Sequence, residues 1–474
     1  MNDSNNSSSK TNALIKGTLI YAIGNLGTKI LNFLIVPLYT FFIEPEALGN
    51  YDLLITTVSL LSPILTLRIS EAAYRWMIKE EKESNDCVSA SYFLLLRNAL
   101  IAAAIIIILN FFVPIWNCYY FVAILIIDRL LECTQKLLRG YQNQKLYAVS
   151  GLFHTIVFVG LNFLRIVVFN EGVEAILQGT VISGILTLLL IFIFEPRLRK
   201  SIHFGKYKDL QKQMLKYSAP LVPEALAWWA MNVSDRYVIR IILNATANGI
   251  YAIAYKFPTI LQTIFTMFNN AWMDMALAQM EKGKASEEYT SALFEKMYML
   301  SFESCLVLIP ITKLFTANFL GVNYQESSIY IGFLYVGTVF QGFSAFCSIG
   351  YLQNKKTKGA ALTSIYGAVI NLAVDIATMK FIGLFAASIS TFLGFFVMWL
   401  VRLHDTKESF PININIKKFI PMLLIVLAMA AASIWTNNII DIILSVITTA
   451  VFCIHNFRYL KMAFKKIKSR FVKS

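Results

Sequence analysis

About fourteen apolar stretches of about twenty residues follow one another along this chain, separated by short polar breaks. A helix of that length crosses the hydrocarbon core of a bilayer. Of the 474 residues, 57% are hydrophobic and only 15% are charged, which leaves little sequence for a soluble domain. The sequence therefore predicts an all-α, polytopic membrane protein. The expected spans are 15–42, 48–73, 88–112, 115–138, 147–169, 174–195, 214–243, 247–276, 292–316, 326–350, 359–379, 382–402, 416–435 and 438–458.

The longest polar break divides the predicted spans into two halves. A weak internal sequence similarity, called the internal echo below, supports this division. Its two segments, ALGNY at 47–51 and ANGIY at 247–251, each follow a long predicted helix that carries charge. Two pseudo-symmetric six-helix lobes that face one another are the usual architecture of secondary transporters. The expected domains are a cytoplasmic tail (1–14), an N-terminal lobe (15–195), a cytoplasmic linker (196–213), a C-terminal lobe (214–402), an additional helix pair (416–458) and a basic cytoplasmic tail (459–474).

The distribution of lysine and arginine predicts the orientation. Five loops on one side, FFIEPEAL, FFVPIWN, NEGVE, NATAN and TANFLGVNYQES, contain neither residue, and only Lys380 falls in another loop of that side. Cytoplasmic loops retain positive charge, so both termini are expected in the cytoplasm. The net charge of +14 thus reflects membrane topology, and no nucleic-acid partner is expected.

After the lysines and arginines assigned to the cytoplasmic segments are set aside, nine basic residues remain inside the predicted spans. A cation at the bilayer centre costs at least about 2.5 kcal/mol, so each needs a partner, water or a path to the surface. Four have a bland explanation: Arg240 and Lys313 lie near span ends, Arg68 precedes Glu71 by three residues, and Arg129 lies beside Asp128 and Glu132. The other five are candidates for binding an anion in a cavity: Lys29, Arg97, Arg165, Arg236 and Lys256.

Lys29 is the strongest of these candidates because it lies about 20 Å from the outer end of its span. It has no carboxylate within four residues, and Asn25 and Asn32 extend a polar stripe on the same helix face. This pattern favours a helix that lines a wet cavity. An ion pair with Asp128 or Asp375 is the structural alternative.

Three acidic residues in the spans are candidates for ion coupling: Glu224, Asp235 and Asp375. Glu224 lies beside Pro220 and Pro223, where a helix can kink and free backbone carbonyls. Asp235 precedes Arg236, and adjacent side chains on a helix point about 100° apart, so the two need not pair. A purely structural ion pair remains the alternative for Glu224.

No motif for catalysis is recognisable. The sequence lacks a P-loop, HExxH, GxSxG and any Ser/Lys or Cys/His arrangement at catalytic spacing, which argues against an enzyme. Its six cysteines have no CxxC spacing and are expected to be small apolar fillers, so no metal or other cofactor is predicted. The aromatic content of 14%, with the WW pair at 228–229, fits interfacial belts better than sugar stacking.

Two segments carry a resemblance to a known family: YAIGNLGTKILNFLIVPLYT with the following EPEALGNYDL, and VPEALAWWAMNVSDRYVIRIILNATANGIYAIAYKFP. The chain resembles Wzx-type oligosaccharide flippases of the MATE-like multidrug/oligosaccharidyl-lipid/polysaccharide exporter superfamily over essentially its whole length. Lys29, Arg236 and Lys256 fall in the matching segments, whereas Arg97 and Arg165 are inferred from depth alone.

The resemblance implies transfer of undecaprenyl-pyrophosphate-linked oligosaccharide repeat units from the inner to the outer leaflet of a bacterial cytoplasmic membrane, for capsule, O-antigen or a related surface polysaccharide. It implies alternating access driven by a proton or sodium gradient, with basic cavity residues holding the pyrophosphate. The expected protein is a monomer whose partners are the lipid-linked substrate, membrane lipids and, as candidates, a polysaccharide polymerase and other assembly proteins. The alternatives are a lipid II flippase, a multidrug cation antiporter of the same superfamily and a polymerase or ligase that uses the same carrier.

Overall fold

The computed structural model describes residues 27–79, 84–205, 207–281, 287–353, 357–458 and 461. All regular secondary structure in these ranges is helical, which confirms the all-α prediction. Nine of the described helices are long and apolar enough to cross a membrane, which agrees with a multi-pass protein. The total of about fourteen spans stays a prediction. The predicted tails 1–14 and 459–474 lie outside the described residues except for Lys461, as do residues 15–26 of the first predicted span.

The chain forms two compact units, residues 1–252 and 253–474, while the lobe boundaries predicted from the sequence stay predictions. The helices of the first unit are α1 (Gly27–Phe42), α2 (Pro45–Thr66), α3 (Ile69–Lys79), α4 (Ser84–Phe112), α5 (Cys118–Gly140), α6 (Gln144–Phe163), α7 (Val173–Phe194), α8 (Pro196–Ser201), α9 (Lys208–Ser218), α10 (Val222–Val233), α11 (Asp235–Ile242) and the start of α12 (Ala245–Glu281).

Two predicted spans of this unit are interrupted. Leu67 and Arg68 have positive φ angles of 46° and 56°, so the backbone leaves the helix between α2 and α3. In the predicted span 214–243, Pro220 lies in a 3₁₀ turn between α9 and α10, and Pro223 occupies the first turn of α10, where proline is tolerated. The prolines therefore act where the sequence places a kink.

The core of the first unit lies around α3, α4 and α5, with α9 packed on it. Ala73 on α3, Leu95 on α4 and Leu137 on α5 are fully or almost fully buried in one apolar cluster. Met214 of α9 is buried in the same cluster, whereas Lys212, on the opposite side of the helix, is exposed. The linker that follows α7 is thus an amphipathic helix held against the unit.

The second unit continues α12 and adds seven further helices among the described residues. They are α13 (Glu287–Phe319), α14 (Ser328–Cys347), α15 (Ile349–Gln353), α16 (Thr357–Ile382), α17 (Phe385–Asp405), α18 (Ile416–Ala432) and α19 (Asn438–His455). An aromatic cluster from four of these helices forms the core. Its ring centroids are 5.1 Å apart for Phe294 and Phe343, 5.3 Å for Phe340 and Trp399, and 5.4 Å for Trp399 and Phe419.

The additional helix pair, α18 and α19, is attached to α13 by polar contacts. The Lys313 ammonium donates to the carbonyl oxygens of Ser433 and Thr436 at 2.5 Å and lies 3.5 Å from the Asp441 carboxylate. Lys313, which the sequence places near a span end, caps the end of α18. At the other end of α19, His455 contacts Glu303 of α13.

Candidate functional site

A polar pocket of about 220 Å³ lies beside Lys29 in the first unit. Its walls come from α1, α5 and α6. The lining residues are Thr28, Lys29, Asn32, Gln135, Tyr147, Ala148, Gly151 and Thr155. One ammonium surrounded by amides and hydroxyls offers several donors to phosphate oxygens. The pocket can therefore hold an anionic group.

The ammonium of Lys29 is available to such a group. The side chain is exposed, and no carboxylate in the part of the chain that the structure describes lies within ion-pair distance of it. Asp128, one of the two alternative partners considered for Lys29, forms an ion pair with Arg129 instead. Asn32 lines the same pocket, whereas Asn25 lies outside the described residues.

A buried charge cluster, formed by Asp52, Asp235, Arg236 and Tyr251, lies where α2, α11 and α12 meet. The Arg236 side chain donates from Nη1 to Asp235 Oδ1 at 2.6 Å, and its Nε lies 3.5 Å from Asp52 Oδ2. The Tyr251 hydroxyl donates to the other Asp235 oxygen at 2.6 Å, and the guanidinium lies 5.2 Å from the centre of the Tyr251 ring. Two carboxylates thus share one guanidinium in a largely dry environment.

Asp235 and Arg236 form an ion pair, a possibility that the sequence left open. Their Cα–Cβ bonds diverge, but the guanidinium is long enough to turn back to the neighbouring carboxylate. Arg236 is only 3% exposed and also donates to the Asn232 carbonyl oxygen at 3.1 Å. Substrate binding by Arg236 therefore stays a prediction, and its observed contacts hold three helices together.

Arg97 and Arg165 differ in the way that they are engaged. The Arg97 side chain is exposed on α4 and donates to the Asn98 side-chain oxygen at 3.2 Å. Arg165 lies in a π-helical turn at the end of α6 and pairs with Glu171 at 2.6 Å. Arg165 was a candidate because of its predicted depth in a span, and the loop after α6 brings Glu171 back to pair with it.

Two further candidates lie on α10 and α12. Glu224 is partly buried in the first turn of α10, and no cation of the described ranges lies within ion-pair distance of it. Lys256 is exposed on α12, in the second unit. The roles of both residues stay predictions.

Asp375 lies in a buried polar group between α16 and α17 of the second unit. It is fully buried, and its Oδ1 accepts a hydrogen bond from Ser390 at 3.2 Å. Asn371 lies one turn earlier on α16, and its amide nitrogen donates to the same Ser390 hydroxyl at 3.4 Å. The amide oxygen of Asn371 is buried and accepts no hydrogen bond from the described residues. This concentration of oxygen atoms suits a proton or a small cation.

Sequence reasoning missed two contributors to these sites. Asp52 and Tyr251 complete the charge cluster, and both lie in or beside the repeated ALGNY and ANGIY segments that indicated the internal echo. Trp229 was assigned to an interfacial belt, but its Nε1 donates to the Ser59 hydroxyl at 3.0 Å and attaches α10 to α2. No group of three or more His, Cys, Asp or Glu suited to a metal ion occurs in the described ranges.

Residues 14–274 match the model of a family described as polysaccharide biosynthesis protein. No curated protein matches the sequence significantly.

Solved structures share the fold at low sequence identity. An inward-closed conformation of the lipid II flippase MurJ superposes with a TM-score of 0.67 at 15% identity, covering 93% of this chain and 100% of the other. An inward-facing MATE-family multidrug transporter of the MOP superfamily gives 0.58 at 14% identity over 86% of this chain and 95% of the other. An outward-facing MATE-family transporter gives a TM-score of 0.55 at 15% identity, covering 88% of this chain and 96% of the other. The chain is similar in fold to both kinds of transporter.

Proposed function

Because this chain belongs to the polysaccharide biosynthesis protein family and has a MATE-like fold of the MOP superfamily, we propose that it flips undecaprenyl-pyrophosphate-linked oligosaccharide repeat units across a membrane. The transfer runs from the inner to the outer leaflet and supplies capsule, O-antigen or a related surface polysaccharide. The protein lies in the bacterial cytoplasmic membrane, with both termini in the cytoplasm. The protein acts as a transporter, not an enzyme.

The single observation that carries this proposal is the polar pocket beside Lys29. A lysine inside an apolar helix is costly unless it faces water or a counter-charge. Here the ammonium is exposed beside a pocket of about 220 Å³ with amide and hydroxyl donors. A diphosphate supplies the missing negative charge and accepts hydrogen bonds from these groups. Lys29 therefore holds the diphosphate, and substrate binding by the exposed Arg97 and Lys256 stays a prediction.

Ion coupling is assigned to the buried carboxylates. Protonation of Asp375, or a sodium ion on Asp375 and the Asn371 amide oxygen, changes the charge of a buried group within the second unit. Asp235 and Glu224 are the corresponding candidates in the first unit, although Asp235 already shares a guanidinium with Asp52. A proton or sodium gradient thus provides the driving force for alternating access.

The test is a deletion strain complemented with Lys29 variants, with surface polymer and leaflet-resolved repeat units as readouts. Deletion should remove surface polymer and leave complete repeat units on the inner leaflet. Lys29→Ala should fail to restore polymer at normal protein level, Lys29→Arg should restore part of it, and Lys380→Ala, which removes an exposed cation at the end of α16, should restore it fully. Normal polymer with Lys29→Ala would overturn the pocket assignment.

A lipid II flippase is the second candidate because the MurJ structure superposes over nearly the whole chain. The same deletion separates the two: accumulation of lipid II with loss of viability supports this candidate, whereas a viable strain that accumulates oligosaccharide repeat units excludes it. Unchanged polymer with altered drug resistance would contradict both and point to multidrug export.

A further inference from the structure

A second cavity of the first unit lies between the start of α6 and the end of α7, outside the Lys29 pocket. It is an open groove of about 230 Å³ with mainly apolar walls. Val149 and Phe194 on these walls are 44% and 67% exposed. The lining residues are Asn143, Lys145, Leu146, Val149, Leu190 and Phe194. Both helices belong to candidate membrane spans, and the groove lies near the ends of these two spans.

Polar side chains lie at the mouth of the groove, and among them the Lys145 ammonium is available to a ligand. Asn143 caps α6 by accepting from the Leu146 amide at 3.1 Å, and its side-chain nitrogen donates to Glu195 at 2.9 Å. Glu195 also receives two hydrogen bonds from Arg197, at 2.7 and 2.9 Å, which neutralise its charge. Lys145 is exposed, and no carboxylate among the described residues lies within ion-pair distance of its ammonium.

We propose that this groove binds an anionic phospholipid of the surrounding membrane. An acyl chain lies against Leu146, Val149, Leu190 and Phe194, and the phosphate contacts the Lys145 ammonium. Apolar walls that end in a single cation match an amphiphile with a negative headgroup, and a free phosphate leaves those walls uncovered. A zwitterionic headgroup gains less binding energy here, because the Glu195 carboxylate that could bind its cationic part is already paired with Arg197.

The charge around the groove favours the same ligand. α8 follows α7 after a single residue and presents Arg199 and Lys200, both exposed. The sequence places this end of α7 on the cytoplasmic side, where anionic lipids attract clustered cations. The site is independent of the proposed flippase substrate, because the Lys29 pocket uses other residues of α6.

The test measures lipid binding to the purified full-length protein by native mass spectrometry. Phosphatidylglycerol and phosphatidylcholine with identical acyl chains are titrated separately. The wild-type protein should prefer phosphatidylglycerol, and Lys145→Glu should reduce that preference roughly fivefold or more. Lys212→Glu, the same charge reversal on exposed α9, is the matched control and should leave the preference unchanged.

Two additional measurements test the groove itself. Val149→Trp fills the groove without a change of charge and should lower phosphatidylglycerol binding in protein that elutes as a monodisperse peak. Glycerol phosphate, which has the headgroup chemistry without acyl chains, should not displace the lipid. Any one of four outcomes would overturn the proposal. The wild-type protein could bind the two lipids equally, or Lys212→Glu could reduce the preference for phosphatidylglycerol as much as Lys145→Glu does. Val149→Trp could bind phosphatidylglycerol as the wild type does, or glycerol phosphate could displace the lipid.

Discussion

Gly49 and Gly249 pack directly against each other at the crossing of α2 and α12. A Cβ atom added to Gly49 would clash with the Ala245 carbonyl oxygen, and one added to Gly249 would clash with that of Pro45. The Asn248 side chain donates to the Gly49 carbonyl oxygen at 2.8 Å. The two segments of the internal echo, ALGNY and ANGIY, therefore meet in a reciprocal contact within residues 1–252.

Gly49→Ala or Gly249→Ala should lower the melting temperature of the purified protein. The added methyl meets backbone atoms, which cannot rotate away, so overpacking should cost about 1–3 kcal/mol. Gly160→Ala is the control because no atom lies within 4 Å of the added methyl on that helix, and alanine is favoured there. Equal melting temperatures for all three variants would contradict the close packing.

Arg236→Met should strongly destabilise the protein. It removes the cation that Asp235 and Asp52 share and leaves a buried carboxylate uncompensated, at a cost of about 3–5 kcal/mol. The double variant Asp235→Asn/Arg236→Gln removes both charges of the buried pair and should recover much of the folded protein, measured by size-exclusion profile and melting temperature. If the double variant is folded and still transports, Arg236 is structural; if it is folded and inactive, substrate binding or coupling by this pair gains support.

The fold could be predicted largely from the length of the apolar segments, because a helix that crosses a bilayer must satisfy its backbone internally. The sites were harder to predict because side-chain reach and loop paths are not encoded in local spacing. Lys29 was identified correctly as lacking a local carboxylate, whereas Arg165 finds Glu171 through a loop. Arg236 pairs with its neighbour through a flexible side chain that the helical angle between them does not describe.

Lys313→Met should weaken the attachment of α18 and α19 to α13. The ammonium contacts the carbonyl oxygens at the end of α18 and the buried Asp441 carboxylate, so its loss leaves several acceptors unsatisfied. We expect a lower melting temperature and faster proteolysis near residues 433–437. The double variant Lys313→Met/Asp441→Asn should have a higher melting temperature than Lys313→Met alone, because it also removes the charge of the buried carboxylate. Adding Asp441→Asn to Lys380→Met should give no such increase. An equal change of melting temperature in the two backgrounds would argue against the pairing.

The stability of the α7–α8 junction should depend on pH in the acidic range. Hydrogen bonds from Arg197 hold the pKa of the Glu195 carboxyl below its ordinary value of 4.5. The folded state therefore binds fewer protons than the unfolded state in this range, so the stabilisation is complete above pH 4.5 and is lost as the pH falls through the lowered pKa. The melting temperature should decline less steeply on acidification in Glu195→Gln than in the wild type, while Asp209→Asn, an exposed control, should follow the wild type. Parallel curves for all three proteins would contradict this assignment.

Arg402→Lys should destabilise the second unit even though it preserves the charge. Arg402 is 2% exposed and donates to the Thr363 and Ser364 hydroxyls at 3.0 and 2.9 Å and to the Ser344 carbonyl at 3.0 Å. A lysine ammonium cannot reproduce this planar set of donors across three helices. Each acceptor left unsatisfied should cost about 1–3 kcal/mol, which is measurable as a lower melting temperature. Arg240→Lys, at an exposed position, is the matched control, and an equal effect of the two substitutions would show that the guanidinium contacts of Arg402 do not stabilise the unit.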